Sequence, residues 1–282
     1  GGDGPCSSSE ASSSSSSSSS RQACGASRSG ARAARSGVLL RATQSGGIAR
    51  EVLRKPDRTK VDLTDDRDFY AFPRLVTHVD DHFLAQVTQL YRERVPPGGV
   101  VLDLCSSWVS HLPPEVEYSK VVGHGMNAAE LARNPRLTQF YVRDLNTAPM
   151  GWEAKDDTYD AVLCCVSVQY LQQPEAVFSE IHRVLKPGGV AIFTFSNRMF
   201  PTKAIAAWRD APSGYARTQL VKQYFMAVPG FTAPEALTQV ALPNRPAPLS
   251  TRLPGPLSTL AKLFERTASD PFYAVLAYKE AR

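Results

Sequence analysis

The chain lacks a Cys-x-x-Cys pair, an apolar run long enough to span a bilayer, and a Gly-x-Gly-x-x-Gly after its first apolar strand. Each absence removes a class of protein. Five scattered cysteines (Cys6, Cys24, Cys105, Cys164, Cys165) offer no paired metal site, because adjacent Cys164 and Cys165 would point to opposite faces of a strand. They read as small hydrophobes in a reducing compartment, and no metal is expected. Without a spanning segment the chain is expected to be soluble. Without the glycine fingerprint, a nicotinamide-dependent oxidoreductase is disfavoured. The first sixty residues also contain no aromatic side chain, so they cannot contribute to a core.

Charge is distributed just as unevenly. Across 282 residues there are 32 basic and 27 acidic side chains, a formal net charge of +5. Residues 1–60 hold ten Lys/Arg and four Asp/Glu; residues 61–282 hold twenty-two and twenty-three. The excess therefore lies in the N-terminal stretch, and a basic, nucleic-acid-binding globular domain is excluded. That stretch also carries sixteen serines, nine of them in the run Ser12–Ser20. It cannot bury enough apolar surface to offset its ordering entropy, so residues 1–60 are expected to be disordered. Serine richness, punctuating arginines and few acids match an organelle transit peptide. A chloroplast address fits best, with mitochondrion or cytoplasm as alternatives, and residues 61–282 are expected to form one domain.

From Phe69 onward, helical periodicity alternates with apolar strands. The pattern predicts a helix from Pro73 to about Arg94, with Val76, Val79, Phe83, Val87 and Leu90 inward. Strands are predicted at 100–104, 120–123, 139–142, 159–165 and 190–195, with a helix at 174–185. Further helices near 201–209 and 216–227, a strand near 235–241, an amphipathic helix at 257–266 and a last strand at 272–278 complete the pattern. Near-continuous apolar strands separated by helices argue for a parallel sheet covered on both faces. Ligands should then gather at the carboxyl ends of the strands.

The stretch Phe178-Ser179-Glu180-Ile181-His182-Arg183-Val184-Leu185-Lys186-Pro187-Gly188-Gly189, preceded by Tyr159-Asp160-Ala161-Val162, resembles the fourth-strand region of class I S-adenosylmethionine-dependent methyltransferases. The likeness spans about residues 69–282 and is nearest to the small-molecule branch called methyltransferase type 11. It implies an α/β, Rossmann-like fold: a mostly parallel seven-stranded sheet with an antiparallel last strand. It also implies S-adenosylmethionine as cofactor and a small-molecule acceptor. Asp103 stands where the family's first motif begins.

Two departures from the family pattern matter. The loop after the first strand, Asp103-Leu104-Cys105-Ser106-Ser107-Trp108-Val109, has no glycine, so its backbone is expected to take another path. The acid that accepts the ribose hydroxyls in the family is replaced by Gly125, which leaves Asn127, His124 or water for that task. Asn127 is equally a good helix N-cap. Asp144 is kept where the family contacts adenine, although such a residue also forms turns. The resemblance thus nominates Asp103, Cys105, Ser107, Met126, Asn127, Asp144, Leu145 and Val166 for the cofactor. His111 is a candidate general base and Tyr170 a polar handle or a packed aromatic. Gln169 and Arg198 lie on the same rim. His78 and His82, four apart, could chelate a metal but fit a solvated helix face better. The competing reading is a catalytically inactive methyltransferase-fold binding or scaffold protein.

Overall fold

A computed structural model describes residues 46–243, 255–257 and 269–281. The predicted amphipathic helix at 257–266 and most of the proline-rich segment before it lie outside the described residues. The elements run α1 Asp66–Phe69, α2 Asp81–Arg94, β1 Val100–Asp103, β2 Lys120–Gly125, α3 Ala128–Leu131, β3 Gln139–Val142 and β4 Tyr159–Cys165. They continue with α4 Pro174–Val184, β5 Leu185–Phe195, α5 Ala206–Arg209, α6 Gly214–Met226, β6 Glu235–Leu237 and β7 Tyr273–Tyr278.

The strands form one seven-stranded sheet in the order β3-β2-β1-β4-β5-β7-β6. β1 to β5 are mutually parallel, and β7 runs antiparallel to both its neighbours. Alternation along the strands assigns the two faces. Val101, Val121, Ala161, Leu163 and Ile192 pack with Phe83, Val87 and Leu90 of α2. Leu102, Val122, Val162, Cys164 and Phe193 pack with Phe178 and Ile181 of α4 and with Tyr224 and Phe225 of α6. Both faces are covered, which is why the strands read as continuous apolar runs. The order reverses between β1 and β4, so the crevice lies at the carboxyl ends of these strands.

Two expectations need correction. The helix predicted from Pro73 begins only at Asp81, because Asp80 caps it: its Oδ1 accepts from Phe83 N at 2.8 Å. Residues 70–80 instead run as irregular chain past the sheet's carboxyl edge. His78 therefore leaves the helix while His82 stays on it, which dissolves the chelating pair. Among the described residues no group of three or more His, Cys, Asp or Glu is placed to hold a metal.

The second correction concerns the boundary at residue 60, since residues from Gly46 onward already pack against the folded body. Gly46 N donates to Pro229 O at 2.7 Å and Ala49 N to Ala227 O at 2.8 Å. Leu53 is buried, and its amide and that of Val52 both donate to Glu175 Oε1. Arg58 clamps the same carboxylate at 2.9 Å. These charged and polar partners lie more than a hundred residues away in sequence, so composition could not reveal them. Half of the basic excess assigned to the first sixty residues, Arg50, Arg54, Lys55, Arg58 and Lys60 against Glu51 and Asp57, thus belongs to the folded body. No described helix is long and apolar enough to cross a membrane.

Candidate functional site

A cavity of about 260 Å³ opens at the carboxyl ends of β1 to β4. Its floor is made by the segments that follow those strands: Cys105–Ser107, His124–Asn127, Arg143–Asn146 and Val166–Leu171. Its remaining wall comes from Asp66, Tyr70, Arg74 and His78 on one side and Arg198, Met199 and Phe200 after β5 on the other.

The glycine-free loop does take another path. Cys105 turns at φ +56°, and Ser106 N then donates to His124 O at 2.6 Å. A Cβ at Gly125 would lie 2.5 Å from the Ser106 carbonyl oxygen, a clash that backbone cannot relieve cheaply. The close approach that glycines usually permit within the first loop is here permitted by a glycine at the end of β2. The same contact explains why no acid occupies position 125. His124, fully buried, fixes the arrangement. Its Nδ1 accepts from Cys105 N at 3.1 Å, so its Nε2 carries the proton and donates to Arg143 O at 2.9 Å. Val166, at the end of β4, also sits at positive φ, +45°, an unfavourable conformation for a β-branched residue. Such strain gathers at functional sites.

Of the cofactor candidates, Cys105, Ser107, Met126, Asn127, Asp144, Leu145 and Val166 line the cavity. Asp103 does not. Its Oδ2 accepts from Ser106 Oγ at 2.6 Å and from Ser110 Oγ, which folds its own loop around it. It faces a second, smaller cavity of about 90 Å³ behind that loop, and burial pushes its carboxyl up to about 6. His111 lines this second cavity and not the first, although the two share Cys105–Ser107, Val166 and Ser167. Burial lowers its pKa to about 4.

Asn127 is committed to structure. Its Oδ1 caps α3 by accepting from Ala129 N and Glu130 N, and its Nδ2 donates to Tyr70 O and Ala71 O. Neither it nor the doubly bonded His124 keeps a group for ribose. Asp144 both turns the chain and faces the cavity. One oxygen accepts from Asn146 N at 2.8 Å, and among the described residues the other takes no bond. Tyr170 lines the cavity, accepts from Phe200 N at 2.9 Å, and is pushed up by burial. Gln169 is buried with its Nε2 donating to Val166 O, and Arg198 pairs with Asp270 at 2.7 Å on the rim.

Several cavity residues carried no sequence signal as cofactor or acceptor residues. Glu130 is 9% exposed; its Oε2 accepts from Ser107 Oγ at 2.5 Å and its Oε1 from Arg74 N at 2.6 Å. It thereby stands between the first loop and the end of β2, the region left without an acid at position 125. Asp66 pairs with Lys60 and lies 3.4 Å from the buried Lys203, and it accepts from Asn146 Nδ2 at 2.9 Å. His78 rests edge-on against Phe200, and burial with the nearby Arg74 lowers its pKa.

This fold places a ligand-sized cavity at the switch point of an α/β sheet. Residues 118–193 match the family model described as a methyltransferase domain. That segment, about a quarter of the chain, carries the sequence likeness to the family. Similar solved structures include an S-adenosylmethionine-dependent methyltransferase from Mesorhizobium loti: 14% identity, 70% of this chain and 98% of that one, TM-score 0.43. An S-adenosylmethionine-dependent methyltransferase from Archaeoglobus fulgidus shares 12% identity over 70% of this chain and 93% of that one, TM-score 0.45. Geranyl diphosphate C-methyltransferase from Streptomyces coelicolor, solved with Mg²⁺, geranyl diphosphate and S-adenosylhomocysteine, shares 13% identity over 69% and 77%, TM-score 0.41. No curated protein sequence matches the chain.

Proposed function

We propose that the protein is an S-adenosylmethionine-dependent methyltransferase acting on a small molecule. One observation carries the reading: the cavity at the ends of β1 to β4 brings the carboxylates of Asp144 and Glu130 together with apolar side chains such as Leu145, Met199 and Phe200. The residues fit the cofactor. Asp144, with an oxygen that takes no bond among the described residues, would accept from the adenine amino group, beside the apolar Leu145. Glu130, whose two oxygens each retain acceptor capacity, would take the ribose hydroxyls in place of the missing acid at 125. The backbone turn at Cys105–Ser107 would border the methionine portion.

When bound, the cofactor supplies a sulfonium methyl for in-line displacement. The chain's contribution is positioning and exclusion of water, which accounts for much of the rate in such reactions. Tyr70, Tyr170, Met199 and Phe200 wall the acceptor side. For a hydroxyl acceptor, His78 is the group suited to take the proton, because its lowered pKa keeps the imidazole neutral near pH 7.

The competing reading, a binding or scaffold protein of the same fold, is favoured by the close seating of the first loop on Gly125. Calorimetry with S-adenosylhomocysteine separates the two. Wild type should bind, and Asp144→Ala should weaken binding about ten- to a hundredfold, the loss of one hydrogen bond to a charged group. Absence of binding to the wild type would remove the enzyme reading. Residues upstream of Gly46, with the run Ser12–Ser20, suit a plastid address, which a fluorescent fusion of residues 1–45 would test.

A further inference from the structure

Arg74 is placed unlike the other cations of the cavity. Arg143 donates to Ala148 O and Met150 O, Arg198 pairs with Asp270, and Lys203 serves Asp62 and Asp66. Arg74 lines the cavity, and among the described residues none of its guanidinium nitrogens meets a carboxylate. Its Nη2 donates to Phe69 O at 2.8 Å, while its Nη1 is buried with no partner among the described residues. A buried unmet donor on a half-buried cation is costly, and so it is uncommon without a purpose.

The surroundings hold the group in place. The guanidinium lies 4.4 Å from the centroid of Phe69, 5.6 Å from that of Phe200 and 5.8 Å from that of Tyr70. Phe69 and Phe200 themselves meet edge to face at 5.2 Å. Its backbone amide is fixed by Glu130 Oε1 at 2.6 Å. A planar cation pinned between aromatic faces keeps its orientation, and its fork geometry suits a carboxylate better than a spherical anion.

We propose that Arg74 is the anion anchor of this cavity, with its guanidinium pairing with a carboxylate of the bound ligand. The inference rests on the methyltransferase reading for its choice of ligands. Two sources could present that carboxylate: the aminoacyl end of the cofactor, or an acceptor with a flat apolar body bearing an acid group, as the aromatic wall would favour.

The test uses the full chain and two pairs of probes, each differing in the anionic group. S-adenosylhomocysteine is compared with its decarboxylated form, S-adenosyl-3-thiopropylamine. Benzoate is compared with benzamide, both alone and with S-adenosylhomocysteine present. Calorimetric affinities are measured for wild type, Arg74→Met and Arg74→Lys, with melting curves to confirm folding. In wild type the carboxylate member of one pair should bind about tenfold or more tightly. Arg74→Met should erase that preference, and Arg74→Lys should retain part of it. Loss in the first pair assigns the anchor to the cofactor; loss in the second assigns it to the acceptor. The proposal is overturned if neither pair shows a preference in wild type, or if the preference survives Arg74→Met. Failure of wild type to bind either adenosyl compound would count against the methyltransferase reading, and the benzoate pair measured alone would still judge Arg74.

Discussion

Asp103 and His111 face the same small cavity behind the first loop, and burial moves their protonation in opposite directions. Asp103 rises from 3.8 to about 6 and His111 falls from 6.5 to about 4. A carboxyl raised in the native state binds its proton more tightly folded than unfolded. Its contribution is therefore present in full below pH 3.8 and lost as pH rises through 6. A histidine lowered in the native state behaves the other way: its contribution is present above pH 6.5 and lost as pH falls through 4. Each amounts to about 3 kcal/mol, at about 1.4 kcal/mol per pH unit between native and unfolded values. Over pH 4 to 6.5 the two slopes oppose, so this cavity adds little net pH dependence to wild type. Asp103→Asn, which can still accept from Ser106 and Ser110, should remove one slope. Relative to wild type it should gain about 3 kcal/mol in urea unfolding between pH 4 and pH 7. His111→Gln should show the converse, gaining by a similar amount as pH falls from 7 to 4, and the double variant should track wild type across the range. A difference between Asp103→Asn and wild type that stays constant from pH 4 to 7 would refute the placement of this carboxyl in a dry cavity.

Three further outcomes follow from contacts described above. Gly125→Ala drives a methyl group against the Ser106 carbonyl and should cost about 1–3 kcal/mol in chemical denaturation, the range for overpacking. Glu130→Gln should weaken S-adenosylhomocysteine binding about tenfold by calorimetry while leaving the affinity of a 2′,3′-dideoxy analogue unchanged. Lys203→Met leaves Asp62 and Asp66 without their most buried cation and should destabilise by about 3–5 kcal/mol, with faster hydrogen exchange across residues 60–71.

The sheet was legible because its signal is local. Strands buried on both faces read as unbroken apolar runs, and Pro96-Pro97-Gly98-Gly99 punctuates them, whereas Lys186-Pro187-Gly188-Gly189 ends α4 but is itself part of β5. The helix start was not, because Pro73 reads as a first helical residue while the cap that hydrogen-bonds the first turn is Asp80. Site residues divide along the same line. Asp144 could be found by its register after β3. Glu130 could not, since Asn127-x-x-Glu130 reads as a capping box, in which the glutamate would turn back to the cap residue. Only the approach of Ser107 and the amide of Arg74 turns that carboxylate toward the cavity instead. Arg58, Lys60 and Asp66 were invisible for a different reason: charged residues in a serine- and arginine-rich context look solvated until their distant partners are placed.

Gly46 and Ala49 bind the backbone beside Pro229 and Ala227, and the chain from there to His78 builds one wall of the cavity. Any chain break downstream of Gly46 therefore removes residues that pack on the folded body. A break near residue 60, where composition alone would set the boundary, takes Arg58 from Glu175 and Lys60 from Asp66 and leaves that side of the cavity unbraced.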